Sequence, residues 1–305
     1  MSEFRQWHAK EPFLNIHCLL GEGPYYEKAT HSLRFVDIVK KQLHTVSLAH
    51  GPGSLVSIQL NEAVCATADI ENEDPAEKIL VALKYGIAVL NRQTANYEYL
   101  GLSGSKDPRV RSNDGAVDPN GNFWVGTMTD FGMGEFRAEG SLFRHHGTSA
   151  QRMLSGLTIP NSVRWSADGK TMYFTHTTTR QICAFDFSTL ESSISNQRVL
   201  YHHKGPGVPD GFCLDVKGNI WHAIYGEGRV LRINPGGVVT GEIKVPTNNV
   251  TSVEFAGTSL FITTAEDIEG SSRSKDLSGA LFQVDVGICG LGHHLFKMKP
   301  SNSHD

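Results

Sequence analysis

Val117-Asp118-Pro119-Asn120-Gly121-Asn122-Phe123-Trp124-Val125-Gly126 is the stretch that decides the fold. A strand end leads into an Asp/Asn-Gly turn, and the turn into a run of aromatic and β-branched residues, which is the pattern of a β-hairpin. The phrase returns twice. Trp165-Ser166-Ala167-Asp168-Gly169-Lys170-Thr171-Met172-Tyr173-Phe174 and Leu214-Asp215-Val216-Lys217-Gly218-Asn219-Ile220-Trp221-His222-Ala223 keep its order, and weaker copies surround Leu33, Leu80 and Leu260. Counted from the first apolar residue of each second strand (Leu33, Leu80, Phe123, Met172, Ile220, Leu260), the intervals are 47, 43, 49, 48 and 40 residues. A period of about 40 to 50 residues carrying four strands is the mark of propeller blades. Six copies predict an all-β, six-bladed β-propeller with four-stranded blades around a central channel. The rivals are a pair of β-sandwiches and a leucine-rich solenoid, but no LxxLxL pattern is present. The last repeat is one strand short, and the stretch from Phe13 to Leu20 is placed to supply it. That makes residues 1–305 one domain, with 1–12 and 298–305 expected as flexible tails.

Composition agrees with a turn-rich chain and narrows the function. Of 305 residues, 31 are glycine, and 28 Lys+Arg against 32 Asp+Glu leave a formal net charge of -4. Without a cationic excess there is nothing to neutralise a phosphate backbone, so nucleic acid is not an expected partner. No apolar run approaches the roughly 18 residues of a membrane span. The first ten residues lack the basic-then-apolar order of a secretory signal, so a cytoplasmic location is expected, with a small-molecule substrate and a monomer or weak dimer. Cys18, Cys65, Cys183, Cys213 and Cys289 are odd in number and form no CxxC pair; they read as reduced core residues. Trp124, Trp165 and Trp221 read as packing between blades.

Four polar patches are not explained by the hairpins. They are Gly21-Glu22-Gly23-Pro24, Arg111-Ser112-Asn113-Asp114-Gly115, Ile159-Pro160-Asn161-Ser162 and Val208-Pro209-Asp210-Gly211. Taken singly, each is an ordinary turn former. All four, however, precede a second strand by a similar distance, and equal phase in a repeat means equal position in a blade. Glu22, Asn113, Asn161 and Asp210 are therefore expected to meet at one end of the channel. Two carboxylates and two amides offer oxygen ligands without sulfur, the donor set of a hard divalent cation such as Ca2+, Mg2+ or Mn2+. Such a cation polarises a carbonyl and lowers the pKa of water.

The same patches, in this order and followed by Gly126-Thr127-Met128, Trp165-Ser166 and Asp168, closely resemble the senescence marker protein (regucalcin), gluconolactonase and luciferin-regenerating enzyme family, over about residues 14 to 295. The resemblance implies a six-bladed propeller holding one divalent cation, Ca2+ first with Mg2+, Mn2+, Zn2+ or Fe2+ as alternatives, and a lactone-opening hydrolase. It makes Glu22, Asn161 and Asp210 the metal ligands, Asp210 also the general base, and Arg111 with Asn113 the groups that bind substrate oxygens.

The chain also departs from that pattern. Of an acidic pair usual after Gly126-Thr127-Met128, only Asp130 is kept, and Phe131 stands where the second acid would be, which favours a substrate less polar than an aldonolactone. His176 and His222 replace an acidic and a small apolar residue and are expected at the channel border as substrate-contacting or proton-moving groups. Two alternatives follow: a non-hydrolytic metal-dependent enzyme of secondary metabolism, and a calcium-binding regulatory propeller without turnover.

Overall fold

The hairpin phrase builds itself around an aspartate. In the computed structural model, which describes residues 4–298, Asp118 Oδ1 accepts the backbone N–H groups of Asn120 and Asn122, each at 2.9 Å. Its Oδ2 accepts Asn122 Nδ2 at 2.8 Å and the indole Nε1 of Trp124 at 2.9 Å. Asp215 repeats the arrangement with Lys217, Asn219 and Trp221. Gly121 and Gly218 turn the corner at φ 89° and 77°, where a side chain is strained. One carboxylate thus ties the turn to the second strand, and the buried indole supplies the packing surface between sheets. Trp124 and Trp221 fill this position, whereas Trp165 ends the strand before the turn and packs on Trp124 from the neighbouring blade.

Six such units form six sheets, five of four strands and one of five. The inner strands are Gly21–Glu27, Val64–Ala68, Val110–Val117, Pro160–Trp165, Val208–Leu214 and Val250–Ala256. Each packs against the next, and the sixth against the first, so the sheets close into a ring and the chain is a six-bladed β-propeller. Apolar clusters fill the seams, as with Ile182, Phe212, Leu214, Ile220, Ile224 and Leu231 between blades 4 and 5.

The N-terminus corrects one expectation. Residues 4–12 are not a tail: Pro12–Asn15 pairs antiparallel with Ala280–Asp285 as the outer strand of blade 6. Arg5–His8 adds a fifth strand, parallel to Val239–Lys244, on blade 5. Apolar Trp7 explains it, since the ring packs 5.2 Å from that of Trp221. Residues 1–3 and 299–305 lie outside the described residues. The polar stretch 266–278 contains a short helix, Ser272–Leu277, capped by Ser271. Among the described residues no helix is long and apolar enough to cross a membrane. All five cysteines are free, and four are buried.

After blade 6 the chain does not leave the ring. It pairs with blade 5 through Val216 N to Cys289 O (3.0 Å), then reaches blade 2, where Phe296 N donates to Asp69 O (2.9 Å). On the way His293 stacks on Tyr25 of blade 1, with centroids 4.1 Å apart, and places Nε2 3.0 Å from Glu254 of blade 6. This segment crosses the end of the channel at which the inner strands finish.

Blades 1 and 2 are pinned by a buried charge cluster. Arg34, wholly buried, meets Glu27 and Asp69 at 2.6 Å each, and Arg92 joins Glu27 at 2.8 Å. Removing Glu27 takes one carboxylate from Arg34, which keeps Asp69, and the paired carboxylate from Arg92, so Glu27→Ala is expected to lower the free energy of unfolding by about 3–5 kcal/mol. Urea titration of the variant against the parent protein measures it.

Candidate functional site

Each inner strand carries an irregularity at the same place. Its ladder to the second strand slips between Glu22 and Tyr25, Val64 and Ala66, Ser112 and Gly115, Pro160 and Val163, Pro209 and Phe212, and Val250 and Ser252. An extra residue in a ladder bends the strand and re-aims its side chains. The slip gathers the polar patches at the end of the channel where the inner strands begin. Glu22, Asn113, Asn161 and Asp210, with Arg111 and Thr177, line one cavity of about 270 Å³. Larger hollows of about 460 and 590 Å³ lie along blade 5, outside the channel, and neither contains any of these residues.

The bulges of blades 3, 4 and 5 are stitched together from behind. Ser162 Oγ donates to Asp114 Oδ2 at 2.6 Å and accepts Phe212 N at 2.9 Å. Asn113 Nδ2 donates to Pro160 O at 2.9 Å. Gly211 passes so close to blade 6 that a Cβ there would stand 2.6 Å from that of Ser252, so the residue after Asp210 has to be glycine. These contacts fix the three bulges relative to one another before any ligand arrives.

Asn161 Nδ2 lies against Asp210 Oδ1, and Glu22 Oε2 accepts the N–H of Gly23 at 2.9 Å. Burial, then the neighbouring Asp210 and Asp114, push the Glu22 carboxyl well above its usual range. Burial and then Asp114 do the same to Asp210, and Arg111 opposes the shift at both. Among the described residues no three His, Cys, Asp or Glu side chains converge as a metal cluster; the candidate set relies on an amide for its third ligand. Two carboxylates buried beside an amide, with Arg111 opposing their charge, fit a hard divalent cation, and Glu22, Asn161 and Asp210 would hold it.

Arg111 is buried and held from several sides. Its Nη1 donates to Ser112 O (2.7 Å) and Asn113 Oδ1 (3.0 Å), and Nη2 approaches Met128 Sδ at 3.3 Å. Phe131 covers the guanidinium, its ring centroid 4.3 Å from Cζ. Asp130 stands 3.6 Å from Arg111 Nε and is paired with Lys84 Nζ at 2.6 Å. It orients Arg111 from behind, and it is not among the residues lining the cavity.

The two histidines also lie off the cavity wall. His176 uses Nε2 on Thr158 N at 3.2 Å and Thr178 Oγ1 at 3.1 Å, bracing the turn beside it. His222 is fully buried on the second strand of blade 5, and its Nε2 lies 3.1 Å from the backbone oxygen of Asp210. Burial lowers its pKa to about 3, which keeps the imidazole neutral. The repeat places His222 opposite Phe212 in the ladder, and strand alternation turns it toward the sheet interior.

Seven wall residues were not assigned to the site from the sequence: Leu20, Met128, Phe136, Ile159, Thr177, Val208 and Tyr225. Ile159 and Val208 sit within the quoted patches, two residues before Asn161 and Asp210, where same-face periodicity could have found them. Phe136 comes from a loop that carries no such signal.

The family model described as the SMP-30/gluconolactonase/LRE-like region matches residues 20–266. Regucalcin of Bos taurus is 31% identical over 91% of this chain and 92% of its own length. Among solved structures, a calcium-binding protein, regucalcin, from Agrobacterium tumefaciens superposes with a TM-score of 0.86 at 26% identity, covering 97% of this chain and 99% of that one. A luciferin-regenerating enzyme superposes with a TM-score of 0.84 at 28% identity, covering 93% and 98%.

If the three oxygen residues hold a cation, Ca2+ at a hundred times its dissociation constant stabilises the fold by about 2.7 kcal/mol. Chemical unfolding with Ca2+ and with chelator measures this increment, which Asn161→Ala is expected to abolish.

Proposed function

The chain belongs to the SMP-30/gluconolactonase/LRE-like family, and on that premise we propose that it is a divalent-cation-dependent hydrolase that opens a lactone or related cyclic ester. The observation that carries this reading is the meeting of Glu22, Asn161 and Asp210 with Arg111 and Asn113 in one cavity. In a purely structural cation site the last two would have no reason to share that wall.

A divalent cation bound there supplies a Lewis acid for the ester carbonyl and acidifies water. The remaining work falls to side chains. Asp210 takes a proton from the attacking water at its carboxylate, acting as the general base. Hydroxide adds to the acyl carbon, the ring C–O bond breaks, and the proton passes to the departing oxygen, leaving a hydroxy acid. Arg111 has a second Nη2 hydrogen to offer the substrate, its guanidinium fixed by Asn113, Met128 and Phe131 so that little conformational freedom is lost on binding. Ser162 and Asp114 keep water from relaxing the bulges, and His222 holds the Asp210 backbone without entering the reaction. His222, buried off the cavity wall, its basicity lowered by burial and its Nε2 on a backbone carbonyl, is not placed to act as a proton-abstracting base. A reducing, cytoplasmic setting accords with five free cysteines.

Acid release on lactone opening is followed in a pH-indicator assay, with chelated protein and Ca2+, Mg2+, Mn2+, Zn2+ or Fe2+ restored in turn. Turnover is expected only with a cation, and Asp210→Ala is expected to lower kcat by about 10²–10⁴ while leaving the circular dichroism unchanged. Full activity in Asp210→Ala, or in metal-free protein, overturns the assignment.

A further inference from the structure

The polar residues of the cavity occupy only its inner level. Two residues earlier in the chain than Glu22, Asn161 and Asp210 stand Leu20, Ile159 and Val208; Val208 opens its inner strand, and Leu20 and Ile159 lie just before theirs. All three line the cavity that holds the carboxylates and so form a collar of aliphatic side chains beside them. Met128, Phe131 and Phe136 complete it. Phe131 and Phe136 remain 42% and 43% exposed, and their rings contact each other at 6.3 Å, as expected of a pair at the mouth.

Apart from the Arg111 Nη2 hydrogen reserved for the ester, several of the polar groups near this collar are already engaged. Arg111 Nη1 is taken by Ser112 O and Asn113 Oδ1, the Asn113 amide by Pro160 O, and the Asp130 carboxylate by Lys84. Thr177 Oγ1 accepts from Asn161 at 3.4 Å. A polyhydroxylated ring seated here would surrender hydroxyl–water bonds and find aliphatic and aromatic carbon in return. An alkyl or aryl group would instead leave water for that same surface. The cavity has room for about nine water volumes of about 30 Å³, enough for a small ring with a short substituent.

We propose that the ligand of this cavity is a monocyclic lactone or cyclic ester bearing an apolar substituent, the substituent lying in the collar of Leu20, Met128, Phe131, Phe136, Ile159 and Val208 and the ester group at Glu22, Asn161 and Asp210. The ester part of this statement rests on the hydrolase assignment above; the apolar part rests on the collar alone. Phe131 and Phe136 are its specificity-determining residues.

Three lactones with the same six-membered ring separate the two parts: D-glucono-1,5-lactone, unsubstituted δ-valerolactone and δ-decalactone, which carries a pentyl chain. In the cation-loaded enzyme kcat/KM for δ-decalactone is expected to exceed that for each of the others at least tenfold, since one methylene in an apolar pocket is worth about tenfold or more. In Phe131→Ala/Phe136→Ala the ratio of δ-decalactone to δ-valerolactone is expected to fall at least tenfold. Gluconolactone as the preferred substrate, or a ratio unmoved by the double substitution, overturns the proposal while leaving a hydrolase. Calorimetric binding covers the case in which no lactone turns over. Tighter binding of δ-decalactone than of gluconolactone, lost in the double variant, then sustains the apolar collar and removes the hydrolase; equal binding, or none, overturns the collar as well.

Discussion

A β-strand next to a channel can direct only every second residue inward, and the ladder to its neighbour fixes which ones. The site exists because that ladder is broken at one level in all six blades. In blades 3 and 4 the slip frees two successive residues from the alternation, one turned to the channel and the other to the seam behind. Asn161 and Ser162 divide in this way, and so do Asn113 and Asp114. The member that turns away makes the bonds that keep the other in place, so the polar cluster and its scaffold come from the same dipeptides.

That arrangement answers the cost of burying like charges. Burial raises both the Glu22 and the Asp210 carboxyl, with repulsion from Asp210 and Asp114 added at Glu22 and from Asp114 at Asp210. In a pliant loop such groups would swing into water. Here the strands hold them: the Asp114–Ser162–Phe212 chain ties three blades, His222 ties the Asp210 carbonyl to the second strand, and Gly211 lets blade 6 press directly on the bulge. The ring itself supplies the force, because no blade can retreat without opening a seam packed with residues such as Phe212 and Ile224. A rigid, desolvated set of oxygens is the kind of site that gains most from a cation and loses least on receiving it.

Much of this was legible from local pattern. Asp118 and Asp215 act within their own hairpins, so the phrase that contains them announces its structure without help from the rest of the chain. The polar patches were legible because a repeat converts sequence phase into spatial position. What the sequence concealed is what phase does not carry. His222 shares the repeat's phase but belongs to the second strand, where alternation sends it into the sheet, so its placement at the channel border was an error of strand and not of blade. Asp130 was found, yet its commitment to Lys84 depends on a residue 46 positions away. Arg5–His8 looked like a tail because four residues show no period, and their strand forms only against an edge more than two hundred residues later. Phe136 reaches the cavity by the course of a loop, which no periodicity records.

The two ends of the channel complete the logic of the site. Where the inner strands finish, the segment after blade 6 lays His293 and His294 across the axis, and the hollows left among Asp114, Arg164 and these histidines measure about 20–30 Å³. Such space admits about one water molecule and no organic ligand. The cavity is therefore blind, and whatever binds must enter and leave past Phe131 and Phe136. The same segment stacks on Tyr25 and faces Glu254, which belong to blades 1 and 6, the two that the N-terminal strand Pro12–Asn15 leads into and completes. Both chain ends thus close the ring at the same seam, one at its outer edge and one across its floor. Asp114 faces both levels, bonding Ser162 on one side and lining the small hollow on the other. Through it the closure of the floor and the placement of the bulges above become one mechanical problem, solved when the chain's two ends are docked.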